Sequence, residues 1–130
     1  MKAIDIHAAL DSITAGRAMP EARHAVAFSQ LTQFQPGPSA IHVGRFSGEM
    51  PWERHPDGDK LLQVLEGRVE VTLLPDIGLL RETVLAGSLL VIPRGLWHRL
   101  EGVEAAVLAV VPLRTEVSRG EKPAALNRSA

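Results

Sequence analysis

The chain is 130 residues long, which suffices for one hydrophobic core and is too short for two ordinary domains. Its 14 lysines and arginines nearly balance 15 aspartates and glutamates, giving a formal charge of -1, and no basic cluster of the nucleic-acid-binding type occurs. The absence of cysteine excludes disulfides, thiol nucleophiles and thiolate metal ligands, so any bound metal must use nitrogen and oxygen ligands.

The N-terminal residues do not match a signal peptide, because Asp5 and Asp11 interrupt the segment that would form its apolar core. No apolar run approaches the length needed to cross a membrane. Together with the absence of cysteine, these features predict a cytoplasmic protein whose partners include neither membrane nor nucleic acid.

Residues 1–24 are predicted to form an N-terminal arm with one short amphipathic helix. Within residues 4–13, apolar side chains recur at the spacing of one helical face, and Asp5 precedes them as a suitable N-cap. The apolar positions are Ile6, Leu10 and Ile13.

Residues 25–113 alternate short apolar runs with glycine- and proline-rich turns, which is typical of an all-β barrel or sandwich. The predicted strands are residues 25–34, 40–46, 61–65, 69–74, 79–85, 89–92 and 105–111. Gly67 and the step Pro93-Arg94-Gly95 are interpreted as tight turns between strands. Residues 114–130 lose the apolar pattern, so this tail is predicted to be either disordered or laid over a partner.

The residues with the most distinctive chemistry fall in two separate segments. Glu53 and His55 are two apart, so on an extended chain both side chains leave the same face. The second segment runs from Gly87 to His98 and contains Pro93 and Gly95. Only folding can bring His98 to the first two residues.

These segments resemble the two motifs of the cupin family, which bracket a small jelly-roll barrel. The second motif has Gly, Pro, Gly and His at the places held here by Gly87, Pro93, Gly95 and His98. The first motif, His-X-His followed by Glu and Gly, corresponds to Glu53, His55, Lys60 and Gly67. The resemblance covers roughly residues 40–112 and implies a jelly-roll β-barrel.

The resemblance also implies a metal site made of Glu53, His55 and His98. Two histidines and one carboxylate can hold Fe(II), and Mn, Ni or Zn can occupy the same set. The implied function is oxygenase- or isomerase-type chemistry on a small polar molecule. Cupins also include sensors and storage proteins, so the fold alone does not decide whether this chain is an enzyme.

Three further residues are candidates for contacting the small molecule: His42, Gln63 and Trp97. His42 shares a strand face with Gly44 and Phe46, and that face could be either the cavity side or the outer side of the sheet. Trp97 could stack on a ligand or serve only in packing.

Lys60 occupies the place where the family has a glutamate, and it leaves two hypotheses open. Pointing inward, its ammonium would repel a divalent cation or act as an acid, a base or a charge-stabilising group. Paired with Glu53, it could instead fill the pocket without metal, which predicts a metal-free ligand-binding or sensing module.

A homodimer is also predicted, from the resemblance and from the sheet edges that a β-rich chain must cover. Residues 25–34 are the candidate interface.

Overall fold

A computed structural model of the chain describes residues 2–13, 26–34, 37, 39–119 and 123. These residues contain one short helix and a curled sheet of eight antiparallel strands. The elements are α1 (Ile6–Ser12), β1 (Val26–Gln33), β2 (Ser39–Glu49), β3 (Trp52–Arg54), β4 (Lys60–Leu74), β5 (Leu80–Leu85), β6 (Leu89–Ile92), β7 (Trp97–Pro112) and β8 (Glu116–Ser118). The prediction of an all-β fold is confirmed.

Two long neighbouring strands, β4 and β7, form the centre of the sheet. β7 pairs with β4 along one edge, and its other edge is shared by β2 and β3. β4 is likewise paired along its second edge, with β6 at its start and β5 at its end. β1 extends the sheet beyond β2, and β8 extends it beyond β3. The short strand β3 therefore brings the first sequence segment of interest against β7, whose first residues end the second segment.

The inner face of this sheet holds the main hydrophobic core. Alternate residues of β4 point inward, because strand side chains alternate between faces. Buried residues from β2, β4, β5, β6 and β7 join them, including Phe46, Leu62, Val64, Val69, Val71, Val84, Ile92, Leu100 and Val107. Burying one such aliphatic side chain contributes about 1.5–3 kcal/mol to folding, so this layer holds the site rigidly in place.

Helix α1 covers part of the outer face of the sheet. Leu10 and Ile13 are buried against Val43 and Ala106. The carboxylate of Asp5 accepts a hydrogen bond from the backbone N–H of Ala8 at 3.0 Å, which is the predicted N-cap. With seven residues, this helix is too short to span a membrane, and the described part of the chain contains no helix that could.

Strand boundaries differ from the prediction around Gly67. Instead of two strands joined by a turn, residues 60–74 form the single strand β4, with register shifts at 64–68. Gly67 has a φ of +68°, and a β-carbon there would lie 2.2 Å from the carbonyl oxygen of Glu104. Gly67 is therefore a glycine bulge that bends a continuous strand.

The tail and the start of β7 also carry structure that the apolar pattern did not indicate. Residues 116–118 form β8 and pair with β3, so this part of the tail is ordered and joins the sheet of the same molecule. β7 begins at residue 97 instead of 105. Gly102 falls in that early part, where the ring of Phe46 lies so close that a β-carbon would be 2.7 Å from it. Because Phe46 of β2 covers this part of β7, the residues of β7 need few apolar side chains of their own, and the sequence pattern does not indicate a strand there.

Candidate functional site

A pocket of about 190 Å³ opens on the inner face, at the end of the sheet where β2, β3, β4 and β7 meet. Its walls are mostly apolar. The lining residues are Phe28, His42, Met50, Glu53, His55, Lys60, Leu62, Leu100, Ala109, Val111 and Thr115. A small pocket with apolar walls and a few convergent polar groups is the usual form of a small-molecule site.

Glu53 and His98 are brought together by direct strand pairing. Glu53 of β3 is the register partner of His98 of β7, so both side chains lie side by side on the inner face. The backbone carbonyl of His55 accepts a hydrogen bond from the N–H of Gly95 at 2.9 Å. Gly95 has a φ of +77°, which glycine adopts without strain. The turn before β7 is thereby fastened to the chain that carries His55.

Glu53, His55 and His98 each offer a ligand atom within 4.8 Å of the other two. The rings of the two histidines are 5.5 Å apart between centroids. Both histidines are buried, with 3% of His55 and 1% of His98 exposed. The three residues named by the motifs therefore converge on one point beside the pocket.

The two imidazoles are oriented by hydrogen bonds on their Nδ1 atoms. Nδ1 of His98 lies 3.0 Å from the carbonyl oxygen of Leu96. Nδ1 of His55 lies 3.0 Å from Thr115 Oγ1 and 3.4 Å from the carbonyl oxygen of Arg114. Because a carbonyl oxygen only accepts, we assign the proton of both rings to Nδ1, the tautomer that leaves each Nε2 with its lone pair. Both Nε2 atoms are buried and have no hydrogen-bond partner among the described residues.

Burial and a neighbouring positive charge favour the neutral form of both histidines. Burial is the largest cause that lowers the pKa of His55 and holds the pKa of His98 well below its usual value, and the charge of Lys60 lowers both further. Neutral imidazole is the form that binds a metal. The donor set is thus two imidazole nitrogens and one carboxylate, each presented with a free electron pair.

Lys60 begins β4 and points to the same inner face as Leu62. Only 5% of it is exposed, and its Nζ lies 3.6 Å from Glu53 Oε1. Burial lowers the pKa of Lys60, while the Glu53 carboxylate opposes that shift. The structure therefore contains the Lys60–Glu53 ion pair that the sequence raised as an alternative to metal.

His42 lies on the pocket side of β2, opposite Ala109 of β7. Its Nδ1 is buried without a partner among the described residues. Burial and the charge of Lys60 lower its pKa. Phe28 of β1 forms the neighbouring wall; its ring lies over Gly44, where a β-carbon would come within 2.2 Å of it. Gly44 thus allows an edge-strand aromatic to close one side of the pocket.

The structure does not bring Gln63 and Trp97 to this pocket. Gln63 lies between Leu62 and Val64 on β4 and therefore points to the opposite face of the sheet. Trp97 is next to His98 and points away from it, into a buried cluster with Trp52 and Leu74. The period-two rule applied to Lys60 and His98 could have excluded both residues.

Sequence reasoning missed Thr115, which hydrogen bonds to His55 from the segment before β8. It also missed the apolar walls formed by Phe28 and Met50. Thr115 lies 60 residues from His55 along the chain, in the tail that was predicted to be either disordered or laid over a partner. No local pattern marks such a contact, since it arises only when β8 pairs with β3.

Comparison with known proteins identifies the family. The cupin domain profile matches residues 40–112, which is more than half of the chain. The chain belongs to the cupin family. The predicted cupin jelly-roll fold is thereby confirmed, and both motif segments lie inside the matched region.

Solved structures agree with this assignment. A protein from Neisseria meningitidis has a TM-score of 0.63 and 20% identity, over 85% of this chain and 99% of the other. A cupin-2 domain protein from Shewanella frigidimarina has a TM-score of 0.57 and 22% identity, over 66% of this chain and 79% of the other. An oxalate oxidase in complex with the substrate analogue glycolate has a TM-score of 0.60 and 21% identity, over 89% and 64% respectively. These similarities concern the fold. A search of curated proteins found no significant match.

Proposed function

We propose that this cupin binds one divalent metal ion, Fe, Mn, Ni or Zn, through Glu53, His55 and His98, and acts on a small polar molecule in the adjoining pocket. The observation that supports this most strongly is the pair of buried Nε2 atoms without hydrogen-bond partners among the described residues, both close to one carboxylate. Leaving buried polar atoms unpaired costs about 1–3 kcal/mol each, and a metal ion would satisfy both.

The remaining residues of the pocket would hold and orient the small molecule. When bound, any of these metals would act as a Lewis acid that polarises a carbonyl group, which suits isomerase-type chemistry, and a redox-active metal would also suit oxygenase-type chemistry. Lys60 would stabilise negative charge, and His42 would hydrogen bond to a polar atom of the ligand through Nδ1. Phe28 and Met50 would exclude water from the reacting atoms.

Calorimetric titration of metal-stripped, untagged protein with Mn²⁺ and Zn²⁺ tests the metal site. We expect a stoichiometry of one ion per chain, and loss of binding in His55→Ala. The matched control is His7→Ala, because His7 lies exposed on α1, away from the pocket. Equal binding by both variants would show that the ion is held elsewhere.

A metal-free ligand-binding or sensing module is the second candidate, and the Lys60–Glu53 ion pair favours it. Two unit charges about 4 Å apart attract by roughly 4 kcal/mol at an effective dielectric constant of 20, and a metal ion must overcome this attraction. Lys60→Glu would restore the carboxylate of the family motif and should raise metal affinity. If neither the wild type nor Lys60→Glu binds metal, the metal-free module is the better description.

We also propose a cytoplasmic homodimer that uses β1. Among the described strands, β1 pairs with β2 alone, so its other edge is available for a second chain. Phe28 of β1 and Phe34, which directly follows it, are 38% and 47% exposed. Residue 25, at the start of the predicted interface, lies outside the described residues. Light scattering that gives a monomer mass over a wide concentration range would refute the dimer.

A further inference from the structure

We propose that Lys60 couples the binding of a metal ion to the binding of a small carboxylate anion. The metal ion would take Glu53 from Lys60, and the released ammonium group would then hold the anion. Each ligand therefore strengthens the binding of the other. This inference rests on the proposed metal site.

Lys60 and a metal ion would compete for the carboxylate of Glu53 because of where that carboxylate lies. Its Oε1 is 3.6 Å from Lys60 Nζ, and the same carboxylate lies within 4.8 Å of the ligand nitrogens of His55 and His98. One carboxylate thus faces both a fixed cation and the place where a second cation would bind. A metal ion at Glu53 would weaken the ion pair, because the ammonium and the metal repel each other.

Among the described residues that line the pocket, Lys60 has no negatively charged partner besides Glu53. Glu53 is the one carboxylate among the lining residues that the structure describes. Lys60 is 95% buried and is anchored by the pairing of β4 with Ile92 of β6, so its amino group stays in this pocket when the ion pair opens. An unpaired ammonium among apolar walls is costly, and an anion from solution would relieve that cost.

The pocket limits the size of the anion. Its volume of about 190 Å³ lies below the roughly 300–1,000 Å³ of pockets for drug-sized ligands, so it admits few non-hydrogen atoms. This suits a carboxylate with few non-hydrogen atoms. One oxygen would contact Lys60, and the unpartnered Nδ1 of His42 offers a hydrogen-bonding partner for another polar atom. The apolar walls, such as Leu62 and Ala109, would surround the rest.

The test is calorimetric titration of the metal-stripped full chain with MnCl₂, at constant ionic strength, in acetate or in chloride alone. We expect acetate to tighten Mn²⁺ binding about fivefold or more, which is the usual lower range of coupling between two sites. The reverse titration must show the same factor: saturating Mn²⁺ should tighten acetate binding equally, because linkage is reciprocal.

Lys60→Met is the decisive variant, with Lys2→Met as the matched control that loses the same charge from an exposed position. Lys60→Met should bind Mn²⁺ more tightly than wild type in chloride, and its response to acetate should fall below about twofold. Lys2→Met should behave as wild type. If Lys60→Met does not fold, as judged by circular dichroism, Lys60→Gln takes its place.

Three outcomes would overturn the inference in distinguishable ways. If acetate still tightens Mn²⁺ binding in Lys60→Met, the anion binds the metal directly and Lys60 is not the link. If wild type binds Mn²⁺ without any response to acetate, the coupling is absent while the metal site stands. If neither wild type nor Lys60→Met binds Mn²⁺, the proposed metal site fails and the coupling fails with it.

Discussion

Adjacent residues of β3 and β7 point to opposite faces of the sheet and have different surroundings there. On the inner face, Glu53 and His98 present polar atoms beside a cavity. On the outer face, the guanidinium of Arg54 lies 4.8 Å from the ring centre of Trp97, and that of Arg99 lies 4.8 Å from the ring centre of Trp52. Neighbouring residues thus serve different purposes.

This comparison shows that a conspicuous residue type does not by itself mark a site. Tryptophan is rarer in this chain than histidine, since the sequence contains two tryptophans and five histidines. Trp97 is buried in a cluster with Trp52 and Leu74, so it contributes packing. Arg54 adds an ion pair with Glu116 of β8, which ties the edge of the sheet together. Packing and ion pairs on the outer face thus stabilise the strands whose inner face carries Glu53 and His98.

The largest effect should come from removing an outer-face aromatic. Trp97→Ala deletes a buried side chain that is 5% exposed, and we expect the free energy of unfolding to fall by about 3–5 kcal/mol. Urea denaturation monitored by circular dichroism measures this. Trp97→Phe, which keeps an aromatic ring, is the control and should lose much less. An unchanged midpoint in Trp97→Ala would mean that the outer cluster does not support the fold.

Removing a candidate metal ligand from the inner face should instead lower metal affinity more than stability. In His98→Ala we expect metal affinity to fall by at least about 100-fold, since loss of a ligand should exceed the effect of losing its hydrogen-bonded support. Stability without metal should change far less than in Trp97→Ala. The control is Gln63→Ala, because Gln63 points to the outer face and should leave metal affinity unchanged. Equal affinities in His98→Ala and wild type would separate His98 from the site.

A smaller effect is expected from the support of His55. Thr115→Val removes the hydroxyl group 3.0 Å from Nδ1 of His55 and keeps the shape of the side chain. Metal affinity should fall about 10-fold, the lower end for such supporting contacts. Thr115→Ser should restore it. If Thr115→Val and Thr115→Ser bind equally, the carbonyl oxygen of Arg114 alone orients the ring.

The last effect concerns the acid stability of the metal-free protein. Burial, with the charge of Lys60 as the second cause, holds the pKa of His98 well below the 6.5 of an unfolded histidine. Below pH 6.5 the unfolded state therefore binds more protons than the folded state, and stability falls as pH falls. The slope is at most about 1.4 kcal/mol per pH unit for each such histidine.

Urea denaturation in a chelator at pH 7, 6 and 5 measures this slope. His98→Gln removes one titrating group, so its stability should decline less steeply with acid than that of wild type. Identical slopes would show that His98 titrates alike in the folded and unfolded states.

Local spacing made several parts of the fold predictable. The helix at residues 6–12, its Asp5 cap and most strand positions follow from patterns within a few residues. Gly67 was recognised as a special backbone position, but its bulge was interpreted as a turn, because a turn and a bulge both use glycine at positive φ. β8 was missed because strands of three residues leave almost no periodic signal.

The sequence by itself determined the types of the candidate ligands, their two motif segments and the unusual charge of Lys60 among them. Only the tertiary structure decided that His98 pairs with Glu53, that Lys60 points inward to the same carboxylate, and that Thr115 supports His55. The reason is physical: alternation along a strand reports which residues share a face, but not which face encloses a cavity. That depends on the pairing of strands far apart in the chain, and it placed His98 beside the pocket and Trp97 in the packing behind it.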